Sequence, residues 1–113
     1  MKLSVNKLNH EQRTLDDLWA TGIKARANWV CAICGDDNRV AAHHIIPREC
    51  KEFRYCADNG IVLCVSHHKF SRIISAHCNP LAFFMWLARY RPELLEKAEQ
   101  RTREMLKANG IQV

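Results

Sequence analysis

Cys31, Cys34, Cys64 and His67 have the spacing of one closed tetrahedral zinc site, two ligand pairs each with a two-residue gap: Cys31-x-x-Cys34 and Cys64-x-x-His67. Zinc takes thiolate and imidazole in such cages. A histidine in the fourth place leaves the cage one negative charge short of a four-cysteine site. A spare thiol such as Cys50 is the alternative fourth ligand. The chain has six cysteines. They are interleaved with histidines, and Met1–Lys7 carries no apolar leader, so metal binding accounts for them better than a disulfide framework. Cys50, Cys56 and Cys78 are left over, each by default a small thiol.

A second set remains once the cage is assigned: His43, His44, Asn59 and His68. Adjacent residues on a strand point to opposite faces, so His43 and His44 suit one metal ligand and one base better than two ligands on one ion. His67 and His68, neighbours at a helix start, diverge by about 100° and serve different targets. Imidazole titrates near neutral pH, which suits removal of a proton from water. His77 lies nine residues after His68. That is roughly 13 Å along a continuous helix, which places it outside the site unless the helix ends early.

The order His-His, Asn, His, set around the two cysteine-bearing pairs, resembles the HNH endonucleases, the ββα-metal nucleases, over residues 28–75. The resemblance implies an α+β fold: a small ββα-metal, treble-clef-like core with a zinc knuckle. It also implies hydrolysis of DNA phosphodiester bonds, with structural Zn2+ in the cysteine cage. His43 and His68 would hold Mg2+ or another divalent transition metal, and His44 would be the general base. Asn59 would hydrogen-bond across the hairpin and keep His44 in place. Some members place another metal-binding histidine one turn after the position of His68, and here that position is Arg72. One turn is about 5.4 Å, so Arg72 is expected to face the same groove and clamp a phosphate, leaving the ion two protein ligands. Arg48, Arg54 and Lys69 are expected to contact nucleic acid. Small free-standing members resemble phage and prophage proteins, which implies a bacterial cytoplasm. The competing reading is a non-catalytic zinc-dependent DNA-binding or adaptor module, and an intact His44 separates the two.

The elements that must position these residues follow from pattern. The 113 residues suit a single domain, 1–113, in three parts. Residues 1–27 hold a tail and a helix from about residue 10, with Asn9 and Gln12 as a capping box and Leu15, Leu18, Trp19 and Ile23 as its buried stripe. Residues 28–75 form the zinc-bound core: a knuckle at Cys31–Gly35, a strand over Val40–Ile46, a tight turn at Asn59-Gly60, a strand over Ile61–Cys64, and a helix from Val65 to about Ile74 with Phe70, Ile73 and Ile74 inward. Residues 76–113 hold two helices. The first is capped by Asn79-Pro80 and apolar nearly all round, hence buried. The second runs from Pro92 to about Asn109 with Leu94, Leu95, Ala98, Met105 and Leu106 on one face, stopped by Gly110. A net charge of +5 favours a polyanionic partner. No run approaches the ~18 apolar residues of a membrane span.

Overall fold

In the computed structural model, which describes residues 5–113 and side chains from Asn9 onward, the chain opens on helix α1, Val5–Arg26. Residues 1–4 of the expected tail lie outside the described residues. The helix begins before the expected capping box, so Asn9 and Gln12 sit within it. Of the expected stripe, Trp19 and Ile23 are buried but Leu15 and Leu18 are exposed. Trp19 and Ile23 pack with Val62, flanked by Ala20, Ala27, Val40 and Ala42, so only the C-terminal half of α1 lies against the sheet.

Two antiparallel strands follow, β1 (Ala41–His44) and β2 (Gly60–Leu63), paired Ala41 to Leu63, Ala42 to Val62, His43 to Ile61 and His44 to Gly60. Strand alternation decides everything on this hairpin. Ile61 and Leu63 join one core with Ile45, Ile46, Phe83, Leu87, Leu94 and Ala98, while Val62 joins α1 on the other face. Asn59-Gly60 is not a tight turn. Gly60 is already in β2, and residues 45–59 connect the strands through a 3₁₀ turn at Lys51–Phe53. What Gly60 permits is proximity: a Cβ there would meet Trp19 at 2.6 Å and Ile23 at 2.9 Å.

The helix expected over 65–74 is one wide π-type turn, Ser66–Phe70. Phe70 and Ile73 are exposed rather than inward. Side chains beyond the turn capture the backbone instead: Ser71 Oγ accepts from Ile74 N at 3.2 Å, Ser75 Oγ from Cys78 N at 2.9 Å, and Asn79 Nδ2 donates to the carbonyls of Arg72 and Ile73. Helix α2, Pro80–Tyr90, is capped by Asn79 Oδ1 accepting from Ala82 N at 3.2 Å, as expected. It buries Phe83 and Leu87, but Leu81 and Met85 are exposed, so it is not covered all round. Helix α3, Pro92–Ala108, packs Leu94 and Ala98 into the core and ends at Gly110, whose φ of +75° a glycine adopts without strain. The result is a small α+β fold in which the hairpin is flanked by α1 on one face and α2 and α3 on the other. No helix among the described residues is long and apolar enough to cross a membrane.

Candidate functional site

The knuckle forms because Gly35, at φ +77°, turns the chain so that its N–H reaches the Cys31 carbonyl at 2.8 Å. Ala32 N donates to the Val62 carbonyl at 2.8 Å, docking the knuckle beside the end of β2, where Cys64 follows. Cys31, Cys34, Cys64 and His67 thereby converge, their ligand atoms all within 4.8 Å of one another. The Cys34–Cys64 sulfurs are 3.8 Å apart, and His67 Nδ1 is 3.3 Å from Cys64 Sγ and 3.7 Å from Cys31 Sγ. A tetrahedron with ~2.3 Å zinc–sulfur bonds has sulfur–sulfur edges of roughly 3.8 Å. The donor set and its dimensions fit a metal such as zinc, and His67 rather than Cys50 completes the group. Burial pushes the Cys34 thiol up to about 11, reinforced by the neighbouring thiols. A cation among them offsets that repulsion directly.

On the face of β1 toward α2, His43, His68 and His77 converge with their ring nitrogens within 4.8 Å. His77 is the residue that a continuous helix would have kept out of the site. Because the turn stops at Phe70, the chain doubles back: Ala76 N donates to the His67 carbonyl and His77 N to the His68 carbonyl, at 2.9 and 3.0 Å. That leaves His77 Nε2 at 3.1 Å from His68 Nε2. Two imidazole nitrogens on one ion with ~2.1 Å bonds lie roughly 3.0–3.4 Å apart. Phe83 packs edge-on against His43, with ring centroids 5.6 Å apart. Burial lowers His43 to about 3 and His68 to about 4, with neighbouring imidazoles adding to both shifts. Both rings therefore stay neutral near pH 7, with lone pairs available to a cation. The run of serines and Asn79 after Phe70 was the signal for His77: these are the side chains that compete with helical hydrogen bonds.

His44 faces the opposite way, as alternation requires. Its ring stacks on Trp19 at 3.9 Å and 8°, in the space that Gly60 leaves across the hairpin. Trp19 is itself anchored by Nε1 donating to the Cys56 carbonyl at 2.9 Å. His44 Nε2 lies 2.9 Å from the Arg54 carbonyl. A carbonyl only accepts, so Nε2 carries the hydrogen and Nδ1 holds the free lone pair. Burial lowers the pKa of His44, against the opposing pull of that carbonyl bond.

Asn59 is fully buried. Among the described residues its side chain makes no hydrogen bond to His44. Oδ1 accepts from Ile46 N at 2.8 Å, and Nδ2 donates to the carbonyls of Ile46 and Phe53 at 3.0 and 3.2 Å. It thus ties both ends of the 45–59 loop, and Phe53 precedes the residue whose carbonyl meets His44. Arg54, expected to contact nucleic acid, is instead held by Asp16 of α1 through Nε at 2.7 Å and Nη2 at 2.6 Å. Arg48, Lys69 and Arg72 are exposed. Arg72 stands beyond the end of the turn, so the helical phase that was to align it with His68 does not exist, and His77 stands beside His68 instead.

A family model described as HNH endonuclease matches residues 31–70, the stretch from the first cage cysteine to the end of the π-type turn. Over that segment the chain is similar to the HNH endonucleases. HNH domains are nuclease domains that act on DNA. The match leaves α1, His77 and both C-terminal helices outside it. Comparison with curated proteins and with solved structures gave no match.

Proposed function

We propose that this HNH protein is a metal-dependent endonuclease that hydrolyses DNA phosphodiester bonds. Cys31, Cys34, Cys64 and His67 hold a structural zinc. His43, His68 and His77 hold a divalent ion, Mg2+ or a transition metal, so three protein ligands replace the expected two. The observation that carries the reading is the division of labour across one strand. His43 joins the imidazole cluster on one face, while His44 sits alone on the other with its tautomer set by the Arg54 carbonyl. Nδ1 of His44 takes a proton from water as that water attacks phosphorus. The Arg54 carbonyl supports the positive charge that the ring acquires. Trp19 and the Asp16–Arg54 pair keep the ring and that carbonyl in register, and Asn59 holds the loop that carries them. A divalent ion bound there would polarise the scissile phosphate and stabilise charge on the leaving oxygen.

The test is supercoiled plasmid incubated with purified protein and Mg2+, Mn2+ or Ni2+, with a chelator control. Cleavage is expected with the ion, and His44→Ala should reduce it by ~10²–10⁴ while metal binding persists. His77→Ala should weaken ion binding in calorimetry without unfolding the domain. Plasmid binding without cleavage under every ion would favour the non-catalytic module.

A further inference from the structure

We infer that the face of α1 lined by Asn9, Gln12 and Arg13, together with Arg48, binds a backbone phosphate of DNA adjacent to the scissile one. The inference rests on the nuclease reading above. Asn9, Gln12, Arg13 and Asp16 fall at helical positions i, i+3, i+4 and i+7, one face of α1. With Arg48 and Arg54 they line a polar groove of about 620 Å³. Arg54 and Asp16 neutralise each other within it through two charge-assisted bonds. Arg13 and Arg48 remain as the uncompensated charges of the lining, and among the described residues neither is in an ion pair.

The groove abuts His44. Arg54, part of its wall, supplies the carbonyl that His44 Nε2 donates to, and Arg48 follows His44 by four residues at the start of the 45–59 loop. The lining defines the ligand class. Two planar guanidinium forks flanked by carboxamides match phosphate oxygens. With no aromatic residue among the described residues of the lining, the groove offers no platform there on which a base could stack, so its contacts run to the backbone. The whole α1 contribution lies outside the HNH match at 31–70. This chain therefore adds, beside the shared core, a helix that extends the nucleic-acid track on the His44 side.

The experiment measures binding of a labelled 20-base-pair duplex by zinc-loaded full-length protein, by fluorescence anisotropy across a salt titration with no divalent ion added. Arg13→Ala and Arg48→Ala should each weaken binding several-fold and reduce the slope of log Kd against log salt by about 1, equally for unrelated sequences. Arg13→Lys and Arg48→Lys should restore most of the slope. Lys107→Ala on α3 serves as the charge control and should leave the slope nearer the wild-type value. Wild-type binding with unchanged affinity and slope in both arginine variants would overturn the groove while leaving the nuclease reading intact, as would an equal effect from Lys107→Ala. A wild-type protein that binds no duplex would overturn both.

Discussion

Gly60→Ala tests whether α1 is fitted to His44 as closely as the structure requires. The added methyl would stand 2.6 Å from Trp19 Cζ2 and 2.9 Å from Ile23 Cδ1. Carbon atoms pack at about 3.5–4.0 Å, so the indole must move by roughly 1 Å. Trp19 has little room to do so: it is buried, stacked on His44 at 3.9 Å, and tethered to the Cys56 carbonyl. Overpacking of this kind typically costs about 1–3 kcal/mol. Replacing a strand glycine returns about 0.5–1 kcal/mol of backbone entropy, which leaves a net loss of about 1–2 kcal/mol. At ~4–8 °C per kcal/mol for a domain near this size, Tm should fall by roughly 5–15 °C. Cleavage at permissive temperature should fall as well, because the ring stacked on His44 is displaced. Gly22→Ala is the control. Among the described residues no atom outside the local helix backbone lies within 4 Å of its added methyl, and it sits within α1, so it should stabilise by about 1 kcal/mol. A Gly60→Ala protein that melts at or above wild type with full activity would refute the close fit of α1.

Cys34→Ser should abolish stoichiometric zinc and collapse the melting transition, since the binding energy of such a site is folding energy of order 10 kcal/mol; full zinc retention by metal analysis would refute the cage. Asn59→Ala leaves three backbone groups without their partner, two of them buried and the Phe53 carbonyl part-buried. At about 1–3 kcal/mol for each orphaned group, softened by relaxation, a loss of roughly 3 kcal/mol is expected in denaturant titration, and a wild-type midpoint would contradict it. His43 is lowered to about 3 from an ordinary value near 6.5, chiefly by burial. The unfolded chain therefore takes up this proton first, so the stability tied to neutral His43 is complete above pH 6.5 and is lost as pH falls towards 3. The stability difference between wild type and His43→Ala should shrink over that window; a difference independent of pH would refute the buried neutral ring.

The hairpin, the cage and both C-terminal helices were legible because each has a local signature: paired ligands at fixed gaps, alternation, a proline-led cap, a stopping glycine. His77 was not legible. Its place depends on where a turn stops, and the apolar residues Phe70, Ile73 and Ile74 mimic a helical face while Ser71, Ser75 and Asn79 bind the backbone away from one. Arg72 was misplaced by the same error, since its predicted facing assumed a helix that ends at Phe70. Trp19 read correctly as a core residue, but nothing in a period of 3.6 shows that the ring it packs on is His44. Arg54 looked like a free cation because its partner, Asp16, is far away in sequence.

The five-residue turn Ser66–Phe70 gives His67 to the sulfur cage and His68 to the imidazole cluster, and the backbone bonds from Ala76 and His77 run to those same two residues.

 The N–H groups in question belong to Ala76 and His77, so one short stretch of backbone is shared by both groups of ligands. Any ion seated in one group restricts the same peptide units that shape the other. Were cations to occupy both groups, the linkage would be reciprocal: whatever factor a cation in the cage added to affinity at the imidazoles, a cation at the imidazoles would add back to the cage. Zinc drawn from the cage would loosen the second group without touching any of its three rings.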